Sequence, residues 1–373
     1  MRAGINKEWQ YLRTHKWDLC LVTIVPFFLL ILFASMFYSG KAEHLPIAII
    51  DQDQSQLSSE IRRFLSHQNT VNIAYVSDNQ DEVERLLNQT KIWGYVHIPT
   101  GAEQRLVQAK DTQISIAYNQ SFYSIGNSIS TAMSVATLQG IAEFGGQRYL
   151  VNSLPHSESP SPHIKVSTLF NPSLSYEFYL EPFIVPAILH LLLCCCVAFS
   201  MGQSLKRQDW SNPNSALQSI LSKNLVYVLI FSLWTWVWMF WLIEIRGWFV
   251  AGSLWLILVA QFAFYLAYAL ISSSIVLVTR NLSQTFGMIA VYGGSSLSFA
   301  GVTLPVEHAP LFTRFWSNII PYTPYAKLQT EQWVIGSPLF ISLTPLLLIL
   351  AYVLFYGVLA VLLLKKIWRG NTA

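Results

Sequence analysis

Ser39-Gly-Lys-Ala-Glu-His-Leu-Pro-Ile-Ala-Ile-Ile-Asp51-Gln-Asp53-Gln-Ser55 opens the one long segment of this chain, Ser39 to Tyr176, that carries an ordinary content of charged residues. One hydrophobic run precedes it and five follow. Over all 373 residues the hydrophobic share is 53% and the charged share only 12%, whereas soluble domains are about a quarter charged. The uncharged runs recur at the roughly 20 residues that a bilayer-crossing helix needs. The sequence therefore predicts an α-helical polytopic membrane protein with six transmembrane helices and an inserted α/β extracytoplasmic domain.

Inside the inserted segment, apolar β-type runs (residues 45–51, 71–76, 92–98 and 113–118) alternate with helical ones (54–66, 81–88 and 102–109), the order of a compact α/β domain. A longer periodic stretch, 121–150, predicts a single long helix, and the Ser/Pro/His-rich run 152–163 predicts a linker. On the N-terminal side, residues 1–18 carry Arg2, Lys7, Arg13 and Lys16, with Ile5, Trp9 and Leu12 at helical spacing. This pattern predicts a basic amphipathic helix on a membrane surface. The first span, 19–38, is longer than the roughly 7 to 15 residues of a signal-peptide core and reads as a retained anchor. Five further spans are expected at 182–202, 224–243, 248–278, 284–304 and 340–364.

Charge sorting orients these spans. Residues 1–18, the loop 203–223, the turn 279–283 and the tail from Lys365 hold eleven Lys and Arg against three Asp and Glu. The opposite side holds twelve against seventeen. The positive-inside tendency makes the first side cytoplasmic, so both termini are expected inside and residues 39–176 outside.

Motifs for chemistry are missing. Asp51-Gln-Asp53-Gln-Ser55 begins like a calcium loop, but Gln56 and Arg62 stand where that loop needs Gly and Glu. Asp53 or Ser55 as the cap of the following helix is the better reading. The sequence contains no phosphate-binding Gly-x-x-x-x-Gly-Lys, no zinc-protease motif and no nucleophile elbow. An enzyme is not expected, nor a metal site, a cofactor or a nucleic-acid partner. Cys20 and Cys194 to Cys196 all fall in expected spans and lack zinc spacing.

No Asp, Glu, Lys or Arg occupies the middle of any expected span, which disfavours an ion-coupled carrier. His190 is the one ionisable candidate there. In the expected fifth span Ala290, Gly294 and Ser298 recur every fourth residue, a small-residue face suited either to packing within the chain or to a dimer or pathway role. The proline-broken segment 305–339 reads as a re-entrant hairpin at the outer leaflet.

Six elements in order carry a family resemblance: Ile47-Ala-Ile-Ile-Asp51-Gln-Asp53-Gln-Ser55, Gly94-Tyr-Val-His-Ile98-Pro99, Asn171-Pro172, Tyr179-Leu-Glu-Pro182, Pro305-Val-Glu307 and Asn318-Ile-Ile-Pro321-Tyr-Thr323-Pro324-Tyr325. Over nearly its whole length the chain resembles the type-2 ABC exporter permeases, particularly the subgroup with a large extracytoplasmic domain between the first two helices. The resemblance implies a permease subunit in a bacterial inner membrane, without ATPase motifs of its own. A separate ATPase would bind ATP and Mg, and a second permease copy, identical or paralogous, would complete the assembly. A hydrophobic or amphipathic substrate such as a drug or lipid would move outward. A periplasmic adaptor is compatible with this arrangement, and membrane lipid is the surrounding partner. On the cytoplasmic side Trp9, Lys206, Arg207, Asp209 and Trp210 are the expected ATPase contacts, with headgroup binding as the other reading of Lys206 and Arg207. The substrate path is expected along His190, Gly294, Ser295, Ser296 and Ser298, and an outer gate at Pro305, Glu307, Pro321 and Pro324. The loop 203–223 is more basic than in many relatives and lacks their Gly-Thr element. The alternative class is a non-transporting envelope protein whose outer domain binds a partner.

Overall fold

The structure, a computed structural model, describes residues 2–38, 43–108, 110–119, 123–152, 175–207, 216–303, 306 and 308–372. The chain divides into two compact units, one of Met1–Tyr38 with Thr168–Ala373 and one of Ser39–Ser167.

In the Ser39–Ser167 unit, β1 (Leu45–Asp51) is the centre of a four-stranded sheet ordered β2-β1-β3-β4. β2 (Val71–Ser77) and β3 (Gly94–Ile98) flank it in parallel, and β4 (Ser115–Tyr118) is antiparallel to β3. The continuous apolar run of β1 follows from burial on both faces. Ile47 and Ile49 pack under α3 (Gln56–Ser66) and α6 (Tyr123–Asn152), and Ala48 and Ile50 pack against Val83 of α4 (Gln80–Asn88). α6 approaches α3 closely because residue 140 is glycine, where a Cβ would lie 2.7 Å from the Cα of Ile61. β4 starts at Ser115 rather than residue 113 because Gln113 adopts φ 58°, outside strand geometry. Ser55 caps α3 in a capping box with Ser58. Asp53 instead accepts from Gly101 N at 2.7 Å and Glu103 N at 3.0 Å, capping α5 (Ala102–Val107). Asp51 accepts from Arg62 at 2.6 Å. Both carboxylates of the calcium-like stretch are thus committed within the domain. The expected linker 152–163 lies outside the described residues beyond Asn152.

In the other unit, α1 (Arg2–Thr14) is followed by α2 (Lys16–Met36), α7 (Tyr176–Arg207), α8 (Ala216–Phe240), α9 (Leu254–Thr279), α10 (Leu282–Gly294), α11 (Ser296–Phe299), α12 (Leu311–Ile319), α13 (Tyr322–Gln329) and α14 (Leu339–Thr372). π-helical turns extend α8 over Trp241–Ile245 and α13 over Thr330–Ile335. Among the described residues, five helices are long and apolar enough to cross a membrane: α2, α7, α8 with its π turn, α9 and α14.

Three expectations need correction. α9 begins at Leu254 rather than Trp248, because Gly252 N bonds Gln332 O at 2.8 Å and Ser253 then caps the helix. The expected span 284–304 is not one helix. α10 has 13 residues, about 20 Å at 1.5 Å per residue, against roughly 30 Å of hydrocarbon. Gly293-Gly294-Ser295-Ser296 supplies poor helix formers at the break, and Gly301 at φ 80° ends the following turn. Third, α1 buries Leu12 and Glu8 while Trp9 is 43% exposed. Its inward side carries Gly4, Glu8 and Leu12, with Ile5 packed against the same core, so of the expected stripe Trp9 is the residue that lies off it. The physical reason is that the carboxylate of Glu8 finds a complete set of partners inside.

Candidate functional site

That set lies where α1 packs against α7 and α8. Glu8 Oε1 accepts from Ser200 Oγ at 2.5 Å and from Tyr227 OH at 2.8 Å, and Lys223 Nζ donates to Oε2 at 3.1 Å. Lys223 also donates to Ser204 Oγ. Two charges are thereby paired and hydrogen-bonded together, the condition for keeping them out of water. Removing one partner of such a pair typically costs about 3–5 kcal/mol. Arg207, at the end of α7, lies over the Tyr11 ring at 5.4 Å, and Trp9 carries Arg13 at 5.7 Å. The Tyr11 hydroxyl donates to Asp18 at 2.6 Å, and burial followed by that bond raises its pKa. Lys206, the neighbour of Arg207, lines a different cleft. Asp209 and Trp210 lie outside the described residues.

A second ion pair closes the other end of α7. Glu177, 1% exposed, accepts from Arg246 Nε at 2.5 Å and Nη2 at 3.0 Å and from Trp248 Nε1 at 2.8 Å. Arg246 also donates to Tyr38 O at 2.7 Å and stacks over the Tyr38 ring, so one guanidinium joins α7, the end of α2 and the α8–α9 connection. The bonds to Glu177 raise the pKa of Arg246. Neither Glu8 nor Glu177 was singled out from the sequence. Glu8 is the only acidic residue in α1, and that lone reversal of sign is the available signal. The Glu177–Arg246 pair spans 69 positions and leaves none.

Between these ends stands an aromatic cluster around His190. The His190 ring lies 4.3 Å from Tyr268, 5.6 Å from Phe264 and 6.0 Å from Tyr322. Its Nδ1 pairs with Pro186 O at 3.3 Å, so Nε2 is left facing Gly293 of α10. A Cβ at Gly293 would lie 3.4 Å from Nε2 and 2.7 Å from Leu191 Cδ2. Tyr268 OH bonds Ser296 Oγ at 2.6 Å, which links the cluster to α11. Of the expected path residues, His190 and Ser296 are thus brought together. Ser295 accepts from Trp316 Nε1 at 2.8 Å and belongs to the α12 contact. Gly294 and Ser298 are exposed on the far side of the α10–α11 segment, and a Cβ at Gly294 would meet nothing within 4 Å.

Gly287 of α10 lines an apolar groove of about 760 Å³ between α9, α10 and α14, together with Ile271, Ile275, Met288, Val291 and Tyr356 among others. No charged side chain lines it. Of the expected gate residues, Pro321 and Pro324 form the buried start of α13, where a missing N–H costs nothing. Pro305 and Glu307 lie outside the described residues. The open carbonyl end of α12 is closed by tyrosines: Tyr292 OH donates to Ile319 O at 2.6 Å and Tyr352 OH to Asn318 O at 2.5 Å. Tyr322 OH donates to Phe183 O at 2.7 Å, tying α13 to α7.

The family model described as ABC-2 family transporter protein matches residues 16–362, and the chain belongs to that family. No curated protein matches it. The match covers four of the five long apolar helices and most of α14, and this is a multi-pass membrane protein.

Proposed function

We propose that this ABC-2 family member is the membrane-spanning permease of an exporter and moves a hydrophobic or amphipathic molecule out of the cytoplasm or inner membrane. Transport proteins of this family normally work with an ATP-binding subunit, and in this reading that subunit is a separate chain that supplies the energy. The observation that carries the reading is the groove beside α10. It is apolar, wide enough for a small molecule and free of lining charge, so an amphipathic ligand would bind without desolvating an ion. The open strip of Gly287, Gly294 and Ser298 would face a second permease copy, and the groove would lie along that seam. In the same reading both termini are cytoplasmic and residues 39–176 lie outside. The α1 end of α7, with Trp9, Arg207, Asp209 and Trp210, receives the ATP-binding subunit, while the Glu8–Lys223 pair joins α1 to α7 and α8 so that they move together.

The test is to purify the full chain with the ATP-binding subunit that accompanies it and to measure ATP hydrolysis in proteoliposomes against a panel of lipophilic ligands. Stimulation in the native protein, with Gly294→Trp losing stimulation yet keeping the ATP-binding subunit, is the expected result. A chain that retains no such subunit would favour an anchored envelope protein, and full stimulation in Gly294→Trp would move the path elsewhere.

A further inference from the structure

The cleft lined by Lys206 is separate from the α1 contact. It is a space of about 510 Å³ where the end of α7 meets the α9–α10 turn and α14. Two cations stand on it, Lys206 and Arg280, and both are exposed. Leu205, Val276, Leu282 and Ile367 form an apolar strip beside the polar Asn281 and Ser283, and no acidic residue is among its lining. Elsewhere in this unit Lys223 pairs with Glu8 and Arg246 with Glu177. Among the described residues, Lys206 and Arg280 have no ion-pair partner.

The cleft is also built rather than incidental. Leu282 lies so close to α7 that a Cβ at Gly202 would come within 2.6 Å of its Cδ2. Arg280 holds the left-handed conformation, φ 50°, ordinarily left to glycine or asparagine. Its backbone N–H still closes α9 on Val276 O at 2.9 Å. The residue therefore serves as the helix cap while its side chain reaches the cleft. Asn281 caps the start of α10 from the next position.

Two cations without an acidic neighbour in the cleft, beside an apolar strip and at the end of membrane-length helices, are complementary to a phosphate diester carrying acyl chains. We propose that this cleft binds the headgroup of an anionic phospholipid, with the phosphate between Lys206 and Arg280 and the chains against Leu205, Val276 and Ile367. The inference needs only that the chain spans a membrane, and it stands apart from the reading of the transport path.

The probes are dihexanoyl phosphatidylglycerol, dihexanoyl phosphatidylcholine and inorganic phosphate, offered to the full chain purified in nonionic detergent, with bound lipid counted by native mass spectrometry. The native chain should retain phosphatidylglycerol over phosphatidylcholine. Retention should fall about fivefold for each cation removed in Lys206→Gln and Arg280→Gln, while the charge-conserving pair Lys206→Arg with Arg280→Lys keeps it. Inorganic phosphate at the same concentration should not displace the lipid. Equal retention of the two lipids, or undiminished retention by the double Gln variant, would overturn the proposal. Full displacement by inorganic phosphate would overturn it in favour of a bare anion site. Unchanged lipid retention in the double Gln variant together with loss of the ATP-binding subunit would reassign the two cations to a protein contact.

Discussion

Gly293 and Gly294 are consecutive residues of one helix, yet they occupy opposite kinds of surface. At Gly293 the chain itself crowds the position, because a Cβ would lie 2.7 Å from Leu191 Cδ2 and 3.4 Å from His190 Nε2 of α7. At Gly294 a Cβ would meet nothing within 4 Å among the described residues, and the residue is exposed, as are Gly287 and Ser298. A small residue enforced by its own neighbours is accounted for by packing. A small strip with open space before it leaves room for a neighbour outside the chain, which is why the α10 strip rather than the His190 cluster carries the proposed contact with a second copy.

This contrast between committed and open surface can be broken by graded substitution. The largest effect is expected at the tightest commitment, the buried Glu177–Arg246 pair. Arg246→Met should lower stability by about 3–5 kcal/mol, because Glu177 is left charged without its partner. Thermal unfolding in detergent reads this, and a shift no larger than that of a surface lysine variant would show the pair to be dispensable. Next comes Gly293→Val, which must push Leu191 and His190 aside, a loss of about 1–3 kcal/mol. Tyr268→Phe removes the hydroxyl that meets Ser296 at 2.6 Å and should cost about 1 kcal/mol. Smallest is Gly294→Ala. It should leave stability unchanged or raise it by up to about 1 kcal/mol, since alanine is the better helix former. A large loss at 294, or none at 293, would erase the contrast.

What the sequence revealed follows the same division. β1 was legible because Ile47 to Ile50 form an unbroken apolar run between turn residues, and local pattern decides such a strand. The long apolar helices were legible because a bilayer imposes length and composition directly. In α1 the apolar pattern finds Ile5 and Leu12 but not Glu8, because only Ser200, Tyr227 and Lys223, contributed by distant helices, make Glu8 an interior residue. The break in α10 was hidden because Gly and Ser also serve close packing inside intact membrane helices. Nothing local separates Gly293 from Gly294. Which of them touches α7 depends on helix rotation, a property of the assembled unit.

The central claim, that the open strip of α10 faces a second copy, is tested most directly by oxidative cross-linking in membranes. Cysteine is placed at 294 or at 293 in a chain whose four native cysteines have been replaced. The account predicts a covalent dimer on a non-reducing gel for Gly294→Cys, reversed by reductant, and monomer alone for Gly293→Cys. Monomer at 294, or equal dimer at both positions, would contradict it.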